Sequence, residues 1–178
     1  GGFKGFVQGD GVVAMEAEHW SRSISGDLRW TILPGYGRTL SGVTFTPVDA
    51  PSRLPSAESP HLEYDVFLSS AGDARIHLVA APTLAFVPGR GFRCAVSVDD
   101  GQPRVIDLWA DTSLQAWERA VGDGAHQVVA GVFPISRPGV HVIKFWPVDP
   151  AVVLERIVVD LGGLRPSYLG APESRRVP

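Results

Sequence analysis

The sequence predicts an all-β chain folded as an antiparallel β-sandwich. Three observations carry that expectation. Apolar and polar residues alternate with a period of two along most of the chain, turn signals recur every 8–12 residues or so, roughly the spacing of sandwich strands, and helical periodicity is confined to one short stretch. The 20 glycines and 15 prolines are spread along the 178 residues, which suits many turns between short strands rather than a low-complexity linker. A chain of this length fits one domain and can bury a core without disulfide or metal staples.

In order, residues 1–10 read as a linker, residues 11–163 as the sandwich module, and residues 164–178 as an extended tail packing on the module. The opening "GGFKG", without a methionine or a signal peptide, is expected of a piece of a longer protein. "VVAMEAEHW" forms the first strand of the module. "HLEYDVFL" places Leu62, Tyr64, Val66 and Leu68 on one face, and "DARIHLVA" does the same with Ile76 and Leu78. "RCAVSVDDGQPRVIDLW" reads as a hairpin with positive backbone angles at Asp100-Gly101. "TSLQAWERAV", Thr112 to Val121, is the one helix candidate. "HQVVAGVF", "GVHVIKFW" and "VVLERIVVDL" are further strands, and Leu164, Tyr168 and Leu169 are expected to strap down the tail.

The net charge is −3 and no basic run exceeds Arg175-Arg176, so nucleic acid is not expected as a partner. No stretch approaches the roughly 18 apolar residues of a membrane span. The single cysteine, Cys94, excludes an internal disulfide and reads as a buried small hydrophobe. There is no G-x-S-x-G, and the five histidines fall singly, without close metal-ligand spacing.

Three readings are open for Glu16 and Glu18. On a strand they share a face, with Cα atoms about 6.5–7 Å apart. A retaining glycosidase holds its carboxyl groups about 5–5.5 Å apart, but typically across a cleft. Ca²⁺ would turn the mutual repulsion into binding, since it takes roughly 6–8 oxygen ligands. A solvated or salt-bridged strand face is the third reading, and Trp20 is expected to pack. Glu155 shares its face with Val153, Ile157 and Val159 and needs a partner, either an arginine or a cation shared with the first strand.

Five tryptophans occur, and Trp30 lies in a loop-like stretch, "GDLRWTILPGYGRT", with Tyr36 and Arg38 nearby. Indole and phenol rings stack on the C–H faces of sugars, while arginine pairs with a uronate carboxylate. Trp30, Tyr36, Arg38, Trp109 and Trp117 are therefore the candidate sugar-binding residues, chosen by residue type and loop position.

"MEAEHW", "LPGYGRTLSGVT", "PHLEYDV", "FRCAVSVDDGQPRVIDL" and "VDPAVVLERIVVDLGGLRPSYLGAPES", in that order, closely resemble the C-terminal domain of glycoside hydrolase family 115. The resemblance runs from about Gly11 to Ser174 and is most specific in its last motif. Members are α-glucuronidases that remove (4-O-methyl)glucuronic acid from glucuronoxylan, with the active site in upstream domains. The resemblance implies a jelly-roll, galactose-binding-like β-sandwich similar to carbohydrate-binding modules of families 6 and 35. Those modules often carry a structural Ca²⁺ on the E-x-E of the first strand and an acidic residue of the last. Carried over, these are Glu16, Glu18 and Glu155, the last a departure from the usual Asp. No catalytic residue is expected in this domain.

The function so implied is non-catalytic binding of xylan, glucuronoxylan or its glucuronic-acid substituents during hemicellulose degradation. The alternative is a structural domain that packs on the upstream catalytic domains of the same polypeptide or forms a homodimer. Either way the expected location is secreted or periplasmic, in a bacterium, as part of a larger enzyme.

Overall fold

The structure, a computed structural model, describes residues 1–35, 41–47, 49–81, 91–109, 125–164 and 172–178. The strands are β1 (Gly5–Val7), β2 (Val12–Glu16), β3 (Arg22–Ile24), β4 (Arg29–Pro34), β5 (Ser41–Thr46), β6 (His61–Leu68) and β7 (Gly72–Ala80), followed by β8 (Arg93–Val98), β9 (Arg104–Asp107), β10 (His126–Ile135), β11 (Gly139–Pro147), β12 (Leu154–Asp160) and β13 (Arg176–Val177). Among the described residues the helical structure is a single 3-10 turn, Ala17–His19. No described helix is long and apolar enough to cross a membrane. The expected helix at Thr112 to Val121 lies outside the described residues.

Two sheets form the sandwich. The first runs β13-β1-β6-β11-β8-β9, with β3 also paired to β6, and the second runs β10-β7-β12-β5-β4, with β2 paired to β12. Almost every pairing is antiparallel; β1 alongside β6 is parallel. The period-two pattern of β6 explains its place, because Leu62, Tyr64, Val66 and Leu68 are all fully buried. They meet Phe145, Ile143 and Val96 of their own sheet and Met15, Ile76, Leu78, Ile157 and Val159 of the other. The Tyr64 hydroxyl, buried among them, donates to the Ala17 carbonyl at 2.7 Å. Cys94 lies in the same core, where burial pushes its thiol far above the ordinary cysteine range.

Two expectations need correction here. Residues 1–10 are more than a linker: β1 pairs with both β6 and β13, and Phe6 is fully buried. Gly5 permits this approach, since its φ is +136° and a Cβ there would collide with the Asp65 carbonyl. In the β8–β9 hairpin the positive φ falls on Asp99 (52°), not on Asp100-Gly101. That backbone lets the Asp99 carboxylate accept from the Val142 N–H at 2.8 Å and reach His141 Nδ1 at 2.7 Å.

The end of the chain returns over the module. The Leu164 N–H donates to Asp160 Oδ1. Ser174 exchanges hydrogen bonds with the backbone of Ala14, and β13 pairs with β1. Tyr168 and Leu169 lie outside the described residues.

Candidate functional site

The carboxylates expected to act together sit on three different local structures. Strand β2 stops at Glu16, and Ala17–His19 coils into the 3-10 turn, so Glu16 and Glu18 do not share a strand face. Glu16 opposes Arg156 in the β2–β12 ladder. That row lies on the face of the second sheet turned away from the core row of Met15, Ile157 and Leu78. Arg156 Nε stands 3.2 Å from Glu16 Oε1, and the two residues are only 3% and 6% exposed. Glu18 turns toward His19, Oε1 to Nε2 3.7 Å. His19 Nδ1 is in turn 2.8 Å from Glu173 Oε1, and Glu173 Oε2 accepts from the Glu16 N–H.

Glu155 does not follow the alternation of its strand. The ladder to β7 shifts register between Leu154 and Arg156, leaving Glu155 as the extra residue of a β-bulge. Leu154 and Ile157 both join the core, and Glu155 is 1% exposed. Arg156, the next residue, pairs with Glu16. Sequence reasoning did not single out Arg156, although its position next to Glu155 on a buried strand was a usable signal.

Among the described residues no group of three or more His, Cys, Asp and Glu is arranged to hold a metal ion. A guanidinium beside Glu16 supplies the positive charge that a cation would supply. Glu16, Glu18 and Glu155 are thus not gathered into one three-carboxylate group.

Of the candidate sugar-binding residues, Tyr36, Arg38 and Trp117 lie outside the described residues. Trp30 is not in a loop. It sits half-buried on β4, at the edge of the second sheet, opposite Phe45, whose ring it meets edge-on at 5.9 Å. Its Nε1–H donates to the Ile24 carbonyl at 3.2 Å. Trp109 follows β9, where its N–H donates to Asp107 Oδ1. The Trp109 ring stacks on His126 at 4.1 Å and 14°, and Phe92 meets it edge-on at 6.3 Å.

Trp30 and Trp109 are not brought together. His126 opens β10, and β10 and β4 are the two ends of the second sheet. Four strand spacings of about 4.8 Å separate them, on the order of 19 Å. Trp109, His126 and Phe92 form an aromatic cluster, and sequence reasoning missed His126 and Phe92 because aromatic clusters form across strands.

A second buried charge lies across the sandwich. Asp149 is fully buried and accepts from the N–H, Nε and Nη2 of Arg93 and from the Ser52 hydroxyl. Burial alone would push its carboxyl up, but these hydrogen bonds and the Arg93 charge hold it below the ordinary aspartate range.

Comparison with known proteins returns a family and a fold. No curated protein sequence matches the chain. Among solved structures, the chain superposes on a family GH115 4-O-methyl-α-glucuronidase with specificity for decorated arabinogalactans at a TM-score of 0.62 and 15% identity, covering 82% of this chain and 17% of that one. A family 35 carbohydrate-binding module from Clostridium thermocellum matches at 0.56 and 15% identity, covering 83% and 97%. The C-terminal CBM6 of a laminarinase from Zobellia galactanivorans matches at 0.55 and 13%, covering 84% and 98%. The chain thus spans about the whole of the modules and a small fraction of the enzyme. Its fold is the β-sandwich of these modules, as the resemblance implied. Residues 5–173 match the family described as the glycosyl hydrolase family 115 C-terminal domain, and the chain belongs to that family.

Proposed function

We propose that this domain is a non-catalytic carbohydrate-binding module that holds a parent α-glucuronidase on xylan or glucuronoxylan. The observation that carries the reading is the pairing of family and fold: a family 115 C-terminal domain built as a family 6 or 35 module. The aromatic cluster of Trp109, His126 and Phe92 supports it, because a half-buried indole at a strand end can present a ring edge or face to a pyranose. In this reading Arg156 balances Glu16, calcium is dispensable, and the module works outside the cytoplasm, where xylan is found.

Affinity electrophoresis of the chain through gels containing glucuronoxylan or soluble cellulose tests the reading. Retardation by glucuronoxylan beyond that by cellulose is expected. Equal mobility in both and in an empty gel would overturn it.

A second reading, packing on upstream domains or on another copy, is favoured by one observation. Phe67 and Val140 are register partners, 37% and 57% exposed, and the Phe3 ring lies 5.9 Å from that of Phe67. Such a patch is small but contiguous. Concentration-dependent sedimentation abolished by Phe67→Ser would support it.

A further inference from the structure

The first sheet carries a cleft of 510 Å³ that none of the candidate residues lines. Its walls include Lys4, Ser21, Arg22, Asp65, Arg176 and the apolar Val177. Asp65 is the one acidic side chain on this wall, which the terminal Pro178 also lines; Arg22 holds Asp65 in a two-pronged hydrogen bond, with Nη1 to Oδ2 at 2.7 Å, while Arg22 Nε reaches Glu63. Lys4 and Arg176 make no ion pair among the described residues, and both are exposed. The Arg176 guanidinium lies over the Phe6 ring, 5.5 Å from its centre, which orients it. The Ser21 hydroxyl accepts from the Asp65 N–H, which leaves its own hydrogen to donate. On a chain of net charge −3, this cleft gathers three basic side chains, Lys4, Arg22 and Arg176, against the single acidic side chain of Asp65.

We infer that this cleft binds the carboxylate of an acidic sugar, with Lys4 and Arg176 pairing the charge, Ser21 donating to a hydroxyl or carboxylate oxygen, and Val177 covering a ring face. The inference rests on the carbohydrate-binding reading above and gives it a uronate subsite. The volume suits one or two sugar residues, being within the roughly 300–1,000 Å³ of small-molecule sites. Two available cations match an isolated carboxylate. A polyphosphate backbone would need a longer basic track and would be repelled by the acidic remainder of the chain.

The test is calorimetric titration of the chain with three ligands: a glucuronic-acid-bearing xylo-oligosaccharide, the same compound with its carboxyl reduced to the alcohol, and a neutral xylo-oligosaccharide. The acidic ligand is expected to bind about tenfold more tightly than its reduced form, the scale of one charge-assisted pair at a surface. The double variant Lys4→Gln, Arg176→Gln should lose that margin and keep both neutral binding and its melting temperature, since both side chains are exposed. Inorganic phosphate should displace the acidic ligand only weakly.

Equal binding of the acidic and reduced forms, or an unchanged margin in the variant, overturns the cleft while leaving the module reading intact. Phosphate competing as well as uronate overturns the sugar assignment of the cleft. If none of the three sugars binds, the cleft and the module reading fall together.

Discussion

Replacing Arg156 by leucine removes the positive partner of a carboxylate that has almost no access to water. Arg156 and Glu16 are 3% and 6% exposed, with Nε and Oε1 3.2 Å apart. Breaking a buried pair on one side costs about 3–5 kcal/mol, because the remaining charge keeps its desolvation penalty and loses its compensation. For a domain of this size each kcal/mol moves the melting temperature by about 2–4 °C, so Arg156→Leu is expected to lower it by about 6–20 °C. The double variant Glu16→Leu, Arg156→Leu removes both charges and should recover most of that loss, since apolar replacement of a buried pair is often neutral or better. Differential scanning calorimetry of the two singles and the double gives the coupling directly. A single-variant loss under about 1 kcal/mol, the scale of an exposed pair, or a double variant as unstable as the sum of the singles, would refute the pairing.

Three further outcomes are expected. EDTA should leave the melting temperature of the untreated chain unchanged, and added calcium should not raise it; a drop of several degrees that calcium reverses would restore a metal to the Glu16 neighbourhood. Asp149 carries a carboxyl held below its unfolded value, so it contributes stability above the unfolded pKa of about 3.9 and loses it as pH falls through the folded value. The melting-temperature gap between the natural chain and Asp149→Asn should therefore be wide at neutral pH and close in strong acid; a gap independent of pH would contradict the assignment. Tyr64→Phe strands the Ala17 carbonyl and should cost about 1–3 kcal/mol by urea denaturation, while in the natural chain burial holds this phenol protonated far beyond ordinary tyrosines until the fold opens.

Much of the architecture was legible because it is local. The alternation in "HLEYDVFL" places four side chains in the core, and all four are there. The hairpin around Asp100-Gly101 is visible from its turn residues, but which residue takes the positive φ depends on a long-range bond: the Asp99 carboxylate caps the Val142 N–H of β11, three strands later in the sequence. The end of β2 was hidden, since "MEAEHW" continues the alternation while the backbone turns into a 3-10 coil. A bulge inserts one residue without any sequence mark, and it moved Glu155 out of phase with Ile157. Arg156 faces Glu16 across some 140 residues of chain, a pairing that only topology supplies. Phe6 looked like linker because its strand is three residues long and begins at a glycine. For the aromatics, Trp30 sits among glycine, proline and charged residues, a composition that reads as loop, yet β4 is an edge strand where such residues are tolerated.

In the proposed function, a family 115 C-terminal domain with this fold binds hemicellulose. Calorimetric titration of the chain with xylo-oligosaccharides of increasing length tests it most directly. Saturable binding in the micromolar-to-millimolar range, about 4–8 kcal/mol, strengthening with length and quenching tryptophan fluorescence, is the predicted result. Absence of heat and of any fluorescence change at millimolar ligand, in a chain shown by calorimetry to be folded, would contradict it.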